Sequence, residues 1–258
     1  MENKIDYREI VELLDKQLQF AQNIQKKIIP RPSEFISDYY YLYAMLKPFR
    51  KVGGDFYDFH IFDNNKVSLV LADATGHGID SAMITSMIKL IYSYAMRNES
   101  ICFSPSKLIE RIELDIEQQL TATFFSALAL ILDPNTNTLC FSNAGHPSAL
   151  LISDAITFLK PSLPLLGLHH MMSQISYDDI VLPFKPGDKL ILFTDGLIAA
   201  QSKNGDIFSI ENIIDIIEKN KSLSISILCS KILKTFDSFR NHFELMDDTC
   251  LLGVEYDY

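Results

Sequence analysis

The stretch VGGDFYDFHIFDNNKVSLVLADATGHG, residues 52–78, holds two strand-like runs, Phe56 to Phe62 and Val67 to Ala72, around the turn-forming Asp63-Asn64-Asn65. The runs read as antiparallel neighbours, and each has an aspartate at its edge: Asp55 after Gly53-Gly54, and Asp73 before a Gly-His-Gly turn. An aspartate at the end of a buried strand is costly unless its charge is neutralised, and a divalent cation does this for several carboxylates at once.

The same arrangement recurs further along. Asp195 closes the apolar run of LILFTDG, and the pair Asp247-Asp248 opens the last strand in MDDTCLL. Singly, each acid has a plainer reading: Asp55 and Asp195-Gly196 as turn residues, Asp73 as a cap for the helix that follows. Together, with no cluster of His or Cys beside them, they favour the hard ions Mg2+ or Mn2+ over zinc.

Around these acids, strand patterns dominate and helical patterns come in pairs. Tyr39 to Leu46 forms a further strand, read as another antiparallel neighbour of the first two. Helices are expected from Ile79 to Met96 and from Pro105 to Leu120, the second capped by Ser104 ahead of Pro105. FFSALALILD and TLCFSNAG flank the turn PNTN as a hairpin; shorter strands follow near Leu150 and Phe158, then ISYDDIVL and KLILFTD. Helices near Ile210 to Lys219 and Ser224 to Phe239 precede the final strand, CLLGVEY. This order points to layered antiparallel sheets covered by helices, not to a regular βαβ winding. No repeat or linker interrupts it, so residues 31–258 read as one domain.

Ahead of that domain, residues 1–30 read as an amphipathic helix. Val11, Leu14, Leu18, Ala21 and Ile28 fall at three- and four-residue steps interrupted by Gln25, and Ile10, Leu13, Phe20 and Ile24 widen the face. Pro30 and Pro32 stop it. Such a face either packs on its own domain or pairs with a second copy. The net charge of −10, without a basic block, argues against nucleic acid as a partner. The four scattered cysteines fit reduced thiols in a cytoplasmic protein, and no apolar run is long enough for direct membrane insertion.

The order VGGDFYD, DATGHG, SNAGHP, FTDG and Asp-Asp resembles the bacterial PPM-type phosphatases of the sporulation stage II protein E branch, relatives of the type 2C phosphatases that include regulators of sigma factors. The segment FAQNIQKKIIP resembles the helix that in this family joins the catalytic domain to an upstream sensor. The resemblance implies an α/β fold, an αββα sandwich of two mainly antiparallel sheets, with two Mn2+ or Mg2+ ions at one edge. Asp55, Asp73, Asp195 and Asp247 then form the catalytic, metal-binding set, with Asp55 as the bridge and the Ala74 carbonyl adding a ligand. The family pattern Asp-Asp-x-Thr carries a threonine where Cys250 stands, which leaves Asp248 as an alternative to the preferred Asp247.

The implied reaction is hydrolysis of a phosphoserine or phosphothreonine protein, such as an anti-sigma-factor antagonist, by a metal-activated water. No cysteine precedes an arginine by six positions, no Asp-x-Asp-x-Thr or Asp-x-Asp-x-Val supplies an aspartyl nucleophile, and there is no phosphate-loop motif. His77 and His146 can be read as general acids or as turn residues, and Arg50 and Lys51 as phosphate contacts or solvated side chains. The competing functions are a catalytically weak phosphatase-like binding module and another two-metal hydrolase acting on nucleic acid or a cyclic nucleotide.

Overall fold

The computed structural model describes residues 7–30, 34–35, 37–76, 78–120, 123–168, 175–241 and 243–257. Among them, two antiparallel sheets face one another. The first has the order β1 (Glu34–Phe35), β2 (Tyr40–Lys47), β11 (Thr249–Tyr256), β10 (Lys189–Phe193), β7 (Ala149–Ile152), β8 (Ile156–Leu159). The second has the order β3 (Asp55–Ile61), β4 (Val67–Ala74), β5 (Phe125–Asp133), β6 (Thr138–Ala144), β9 (Ile180–Pro183).

Alternation within the strands explains the layering. In β2, Tyr40, Leu42 and Ala44 point into the seam between the sheets, where they meet Tyr57, Leu71, Leu128, Leu190 and Leu252. The intervening Tyr41, Tyr43 and Met45 turn outward beneath helices. β4, β5 and β10 are buried on both faces and therefore read as continuous apolar runs. The expected pairing of β2 with β3 does not occur. β2 pairs with β1 and β11, while β3 pairs with β4 in the opposite sheet, so Pro48 to Gly54 crosses between the sheets. Strand pattern records which side chains are buried but not which sheet buries them.

Helices α2 (Ile79–Ala95) and α3 (Pro105–Glu117) cover the second sheet. Ile88, Tyr92, Ile109 and Ile112 pack on Val70 and on Ala72, Ala127 and Ala129, whose small side chains permit close approach. After the four-residue α4 (Asp195–Ile198), α5 (Ile210–Asn220) and α6 (Ile225–Arg240) cover the first sheet through Ile213, Ile217, Leu228 and Ile232. A side chain at Gly253 would lie 2.5 Å from Cys229 Sγ, so glycine there lets α6 rest on β11. The result is the expected αββα sandwich.

Helix α1 (Tyr7–Ile28) lies outside these layers. Most of its apolar face is exposed, including Val11, Leu14 and Phe20. Its one buried residue is Gln25, the polar interruption of the apolar line. Lys51 is paired with Asp15 of this helix, so Lys51 is a helix contact and not a free phosphate ligand.

One expected strand is shorter than its pattern. In ISYDDIVL the strand begins only at Ile180, because Asp179 caps α3. Its carboxylate accepts from Ser104 Oγ and from the Ser106 amide, each at 2.7 Å, while Ser104 Oγ accepts from the Lys107 amide. Asp179→Ala should lower the unfolding free energy by about 1–2 kcal/mol, read by urea denaturation; no change would mean that Ser104 alone caps α3.

Candidate metal centre

Asp55, Asp73 and Ser126 stand directly opposite one another across β3, β4 and β5. They share the face of Tyr57, Leu71 and Leu128, two residues further in, which fills the seam between the sheets. The row therefore lies at one open end of the sandwich. Asp55 is 2% exposed, and its charge is met from the other sheet: Thr194 Oγ1, at the end of β10, donates to Asp55 Oδ2 at 2.6 Å. Thr194 in turn accepts from the Cys250 amide at 2.9 Å.

The two acids at the start of β11 have different surroundings. Asp248 is buried, and its oxygens accept from the Phe49 amide at 2.6 Å and the Gly54 amide at 2.5 Å. It thereby ties down the crossing that carries Asp55. A Cβ at Gly53 would fall 2.2 Å from the Asp248 carboxylate, one at Gly54 2.5 Å from the Ala74 carbonyl oxygen, and one at Gly196 1.8 Å from the Asp248 carbonyl oxygen. Three glycines thus allow three chain segments to converge. Asp247 is exposed at the rim, where its charge acts on both Asp73 and Asp195.

The electrostatics follow from this crowding. Burial, and then the charge of Asp73, holds the Asp55 carboxyl well above the usual carboxylate range, against the opposing hydrogen bond from Thr194. Burial and the charges of Asp195, Asp247 and Asp248 push Asp73 up to about 8, and Asp73 shares a hydrogen bond with Asp195. Asp195 and Asp248 are raised as well, each first by desolvation. Among the described residues, no Lys or Arg forms an ion pair with any of these five acids.

All five acids, and the Ala74 carbonyl beside Gly54, are brought to the same end of the fold. No three carboxylate, imidazole or thiol groups among the described residues stand ready in a coordinating arrangement. The donors nevertheless fit a hard divalent ion: they are all oxygens, two sit at the rim, and the cluster lacks a compensating cation. His77 lies outside the described residues. His146 is buried, with Nδ1 2.7 Å from Ser126 Oγ. Arg50 is exposed and its guanidinium lies over the Phe49 ring.

Three residues at the site went unassigned by pattern. Thr194 lies inside FTDG, and a hydroxyl next to a strand-end acid was the available signal. Ser126 is visible only once β5 is set against β4. Gln25 bonds the metal-motif loop directly: its Nε2 donates to the Gly53 carbonyl at 2.7 Å, and its Oε1 accepts from the Gly53 amide at 3.2 Å. Nε2 also lies 3.4 Å from Thr85 Oγ1 in α2.

Two opposed antiparallel sheets between helix layers, with acids gathered at one end of the seam, define the PPM-type fold. The chain belongs to the Stage II sporulation protein E (SpoIIE) family, whose model matches residues 63–257; Asp55 lies upstream of that match. It is similar to two curated Bacillus subtilis proteins, phosphoserine phosphatase RsbU (25% identical over 95% of this chain and 71% of that one) and phosphoserine phosphatase RsbP (23% over 93% and 58%). The chain thus spans little more than half of RsbP. Among solved structures, the SiaA-PP2C domain of Pseudomonas aeruginosa superposes with a TM-score of 0.82 at 21% identity, covering 96% of this chain and 99% of that one. The catalytic domain of the serine/threonine phosphatase PstP, in complex with two manganese ions, superposes with a TM-score of 0.60 at 13% identity over 85% and 99%.

Because the clustered acids have raised pKa values in the folded state, the native protein binds more protons than the unfolded chain between the ordinary Asp value of 3.8 and about 8. The stabilisation they contribute is full below that window and is lost as pH rises through it. In chelator, the urea midpoint should therefore fall between about pH 5 and about pH 8, Asp73→Asn should flatten the decline, and Mg2+ or Mn2+ should stabilise more at the higher pH. A midpoint that rises with pH in chelator would contradict the electrostatic reading.

Proposed function

We propose that this chain is a metal-dependent protein phosphatase that hydrolyses phosphoserine or phosphothreonine in a partner protein. The observation that carries the reading is the convergence of five carboxylates, with no ion pair to Lys or Arg among the described residues, at the open end of a PPM-type sandwich. The names of the curated relatives and the manganese complex of a shared fold support it. The residues that would hold the ions are Asp55, Asp73, Asp195, Asp247 and the Ala74 carbonyl. Asp248 is the clamp on the Asp55 loop, since both its oxygens are already engaged by backbone amides.

Two bound Mn2+ or Mg2+ ions would supply a water of lowered pKa and a positive charge facing the phosphoryl oxygens. The chain's own part is to hold the acceptors still. Thr194 fixes Asp55 from the opposite sheet, and Asp248 and Gln25 fix the loop that carries it. The substrate class we infer is a phosphorylated anti-sigma-factor antagonist, in keeping with the relatives' branch. The place of action we infer is the cytoplasm, in keeping with the four free thiols.

Phosphate release from a phosphoserine protein should stop in chelator and return with Mn2+. Asp247→Asn should weaken ion binding and cut turnover at least about tenfold without loss of stability. Asp248→Ala should unfold more readily, because two buried amides lose their acceptor. Equal turnover in chelator, or in Asp247→Asn, would remove the two-ion mechanism or this ligand.

We further infer that α1 pairs with a second copy. Its Val11, Leu14 and Phe20 are exposed, as are Met83, Leu90 and Tyr94 of α2, the helix that α1 contacts, so much apolar side chain is left uncovered in a single copy. Removing residues 1–20 leaves Gln25 in place, and should yield a folded monomer by sedimentation with altered turnover. An unchanged association state would show that the face does not dimerise.

A further inference from the structure

One side of the metal centre is walled by apolar residues. Asp73 and Asp195 share a cavity of about 510 Å³ with Pro147, Pro161, Leu165 and Ile198. These four come from three separate segments: the turn between β6 and β7, the stretch after β8, and α4. Pro147 and Ile198 are half-buried, and Pro161 and Leu165 are exposed, so all four keep apolar surface open to the cavity. Among the described residues, Asp73 and Asp195 supply the only charges of the lining, and no Lys or Arg contributes.

Leu165 belongs to a stretch with neither helix nor strand that is nonetheless fixed along its length. The Ser162 and Leu163 amides donate to the Asn143 carbonyl at 3.0 and 3.1 Å, and the Gly145 amide donates to the Leu163 carbonyl at 3.0 Å. Leu166 and Phe125 exchange backbone hydrogen bonds at 2.9 and 3.3 Å. The Gly167 amide donates at 2.9 Å to Oε1 of Glu113, a buried carboxylate on α3. Leu163 and Leu166 enter the core, while Leu165 between them stays 38% exposed. A Cβ at Gly145, whose φ is +61°, would lie 2.8 Å from Leu165 Cδ2, so glycine there lets the leucine pack directly on the turn backbone. The wall is thus formed before anything binds to it.

A phosphorylated residue held at the rim acids, through the ions they would bind, carries its chain across this cavity. Consecutive Cα atoms are about 3.8 Å apart, so residues within two positions of the phosphoserine come against the wall. An apolar side chain there removes its own surface and that of the wall from water. A carboxylate would lose hydration against the same wall, with no cationic side chain in the lining to replace it. Resting on the phosphatase reading, we propose that Pro147, Pro161, Leu165 and Ile198 form a subsite for an apolar side chain within two residues of the phosphoserine, with Leu165 as the residue that sets this preference.

The test uses phosphoserine peptides in which each position within two residues of the phosphoserine carries Ala, Leu or Glu in turn. With Mn2+, one position should favour Leu over Ala by about tenfold in kcat/KM, mainly through KM, with Glu the poorest. Leu165→Ala should bring Leu and Ala to within about threefold at that position. Leu165→Lys should raise the Glu-to-Leu ratio there by about tenfold or more. Each is a ratio measured on one enzyme sample, so a variant that folds poorly cannot imitate it. In the metal-free protein, the unphosphorylated Leu peptide should shift the Leu165 and Ile198 methyl signals, assigned by Leu165→Ala and Ile198→Val, and the Ala peptide should not. The proposal is overturned if no position distinguishes Leu from Ala and Glu, if the preference survives unchanged in both Leu165 variants, or if the Leu peptide leaves both methyl signals in place. A wild type that releases no phosphate from any peptide or phosphoprotein ends the phosphatase reading, and the proposal with it, an outcome distinct from an active enzyme without preference.

Discussion

Asp55 places a carboxylate in the seam between two apolar sheets, and the surrounding structure is arranged to make that tolerable. Its nearest support crosses the seam: the Thr194 hydroxyl comes from the first sheet, Asp55 from the second. Because Thr194 accepts from the Cys250 amide, the strands β10 and β11 are registered to the same atom. The position of Asp55 is therefore a measure of how the two sheets sit on each other. A shift of either sheet would leave a buried charge without its donor, which costs several times what a surface contact does.

The remaining acids surround Asp55 in a gradient of exposure. Asp248 is as buried as Asp55 and spends its oxygens on backbone amides, so it acts as part of the scaffold. Asp73 is half-buried, and Asp195 and Asp247 reach solvent. Burial first, and then the repulsion of neighbouring carboxylates, raises Asp55 and Asp73. A cation entering from the rim would meet the exposed acids first and relieve the buried ones last.

Helix α1 reaches this floor through one side chain. Gln25 makes two hydrogen bonds to Gly53, next to the glycine whose amide is held by Asp248, so loop and helix share a backbone anchor. The rest of the helix leaves its apolar face exposed. A force applied along α1 has a short route to the Asp55 loop, and a second contact to Thr85 on α2.

Most of the element order, with its strand and helix types, and the acids that gather at one end of the fold were legible in the chain; the two-residue β1 and the four-residue α4 were not. Period-two and near-3.6 patterns register burial directly, and Gly-Asp at a strand end marks a charge that must be met. Layered antiparallel sheets covered by helices followed from them, and the family resemblance supplied the αββα sandwich. What the pattern could not contain was partnership across the seam. β2 was placed beside β3 because adjacent strands usually pair, yet it lies in the other sheet. Gln25 broke an apolar line and proved to be the buried residue of α1. Asp247 and Asp248 are neighbours in sequence and point into different surroundings, one to solvent and one to backbone amides. Thr194 and Ser126 became meaningful only when β10 met β3 and β5 met β4. Sequence by itself determined which side chains must be buried and which charges compensated, because those are properties of each residue and its spacing. Only the tertiary structure decided which partner compensates each charge, because hydrogen bonds are short and directional and most of these link residues more than fifty positions apart.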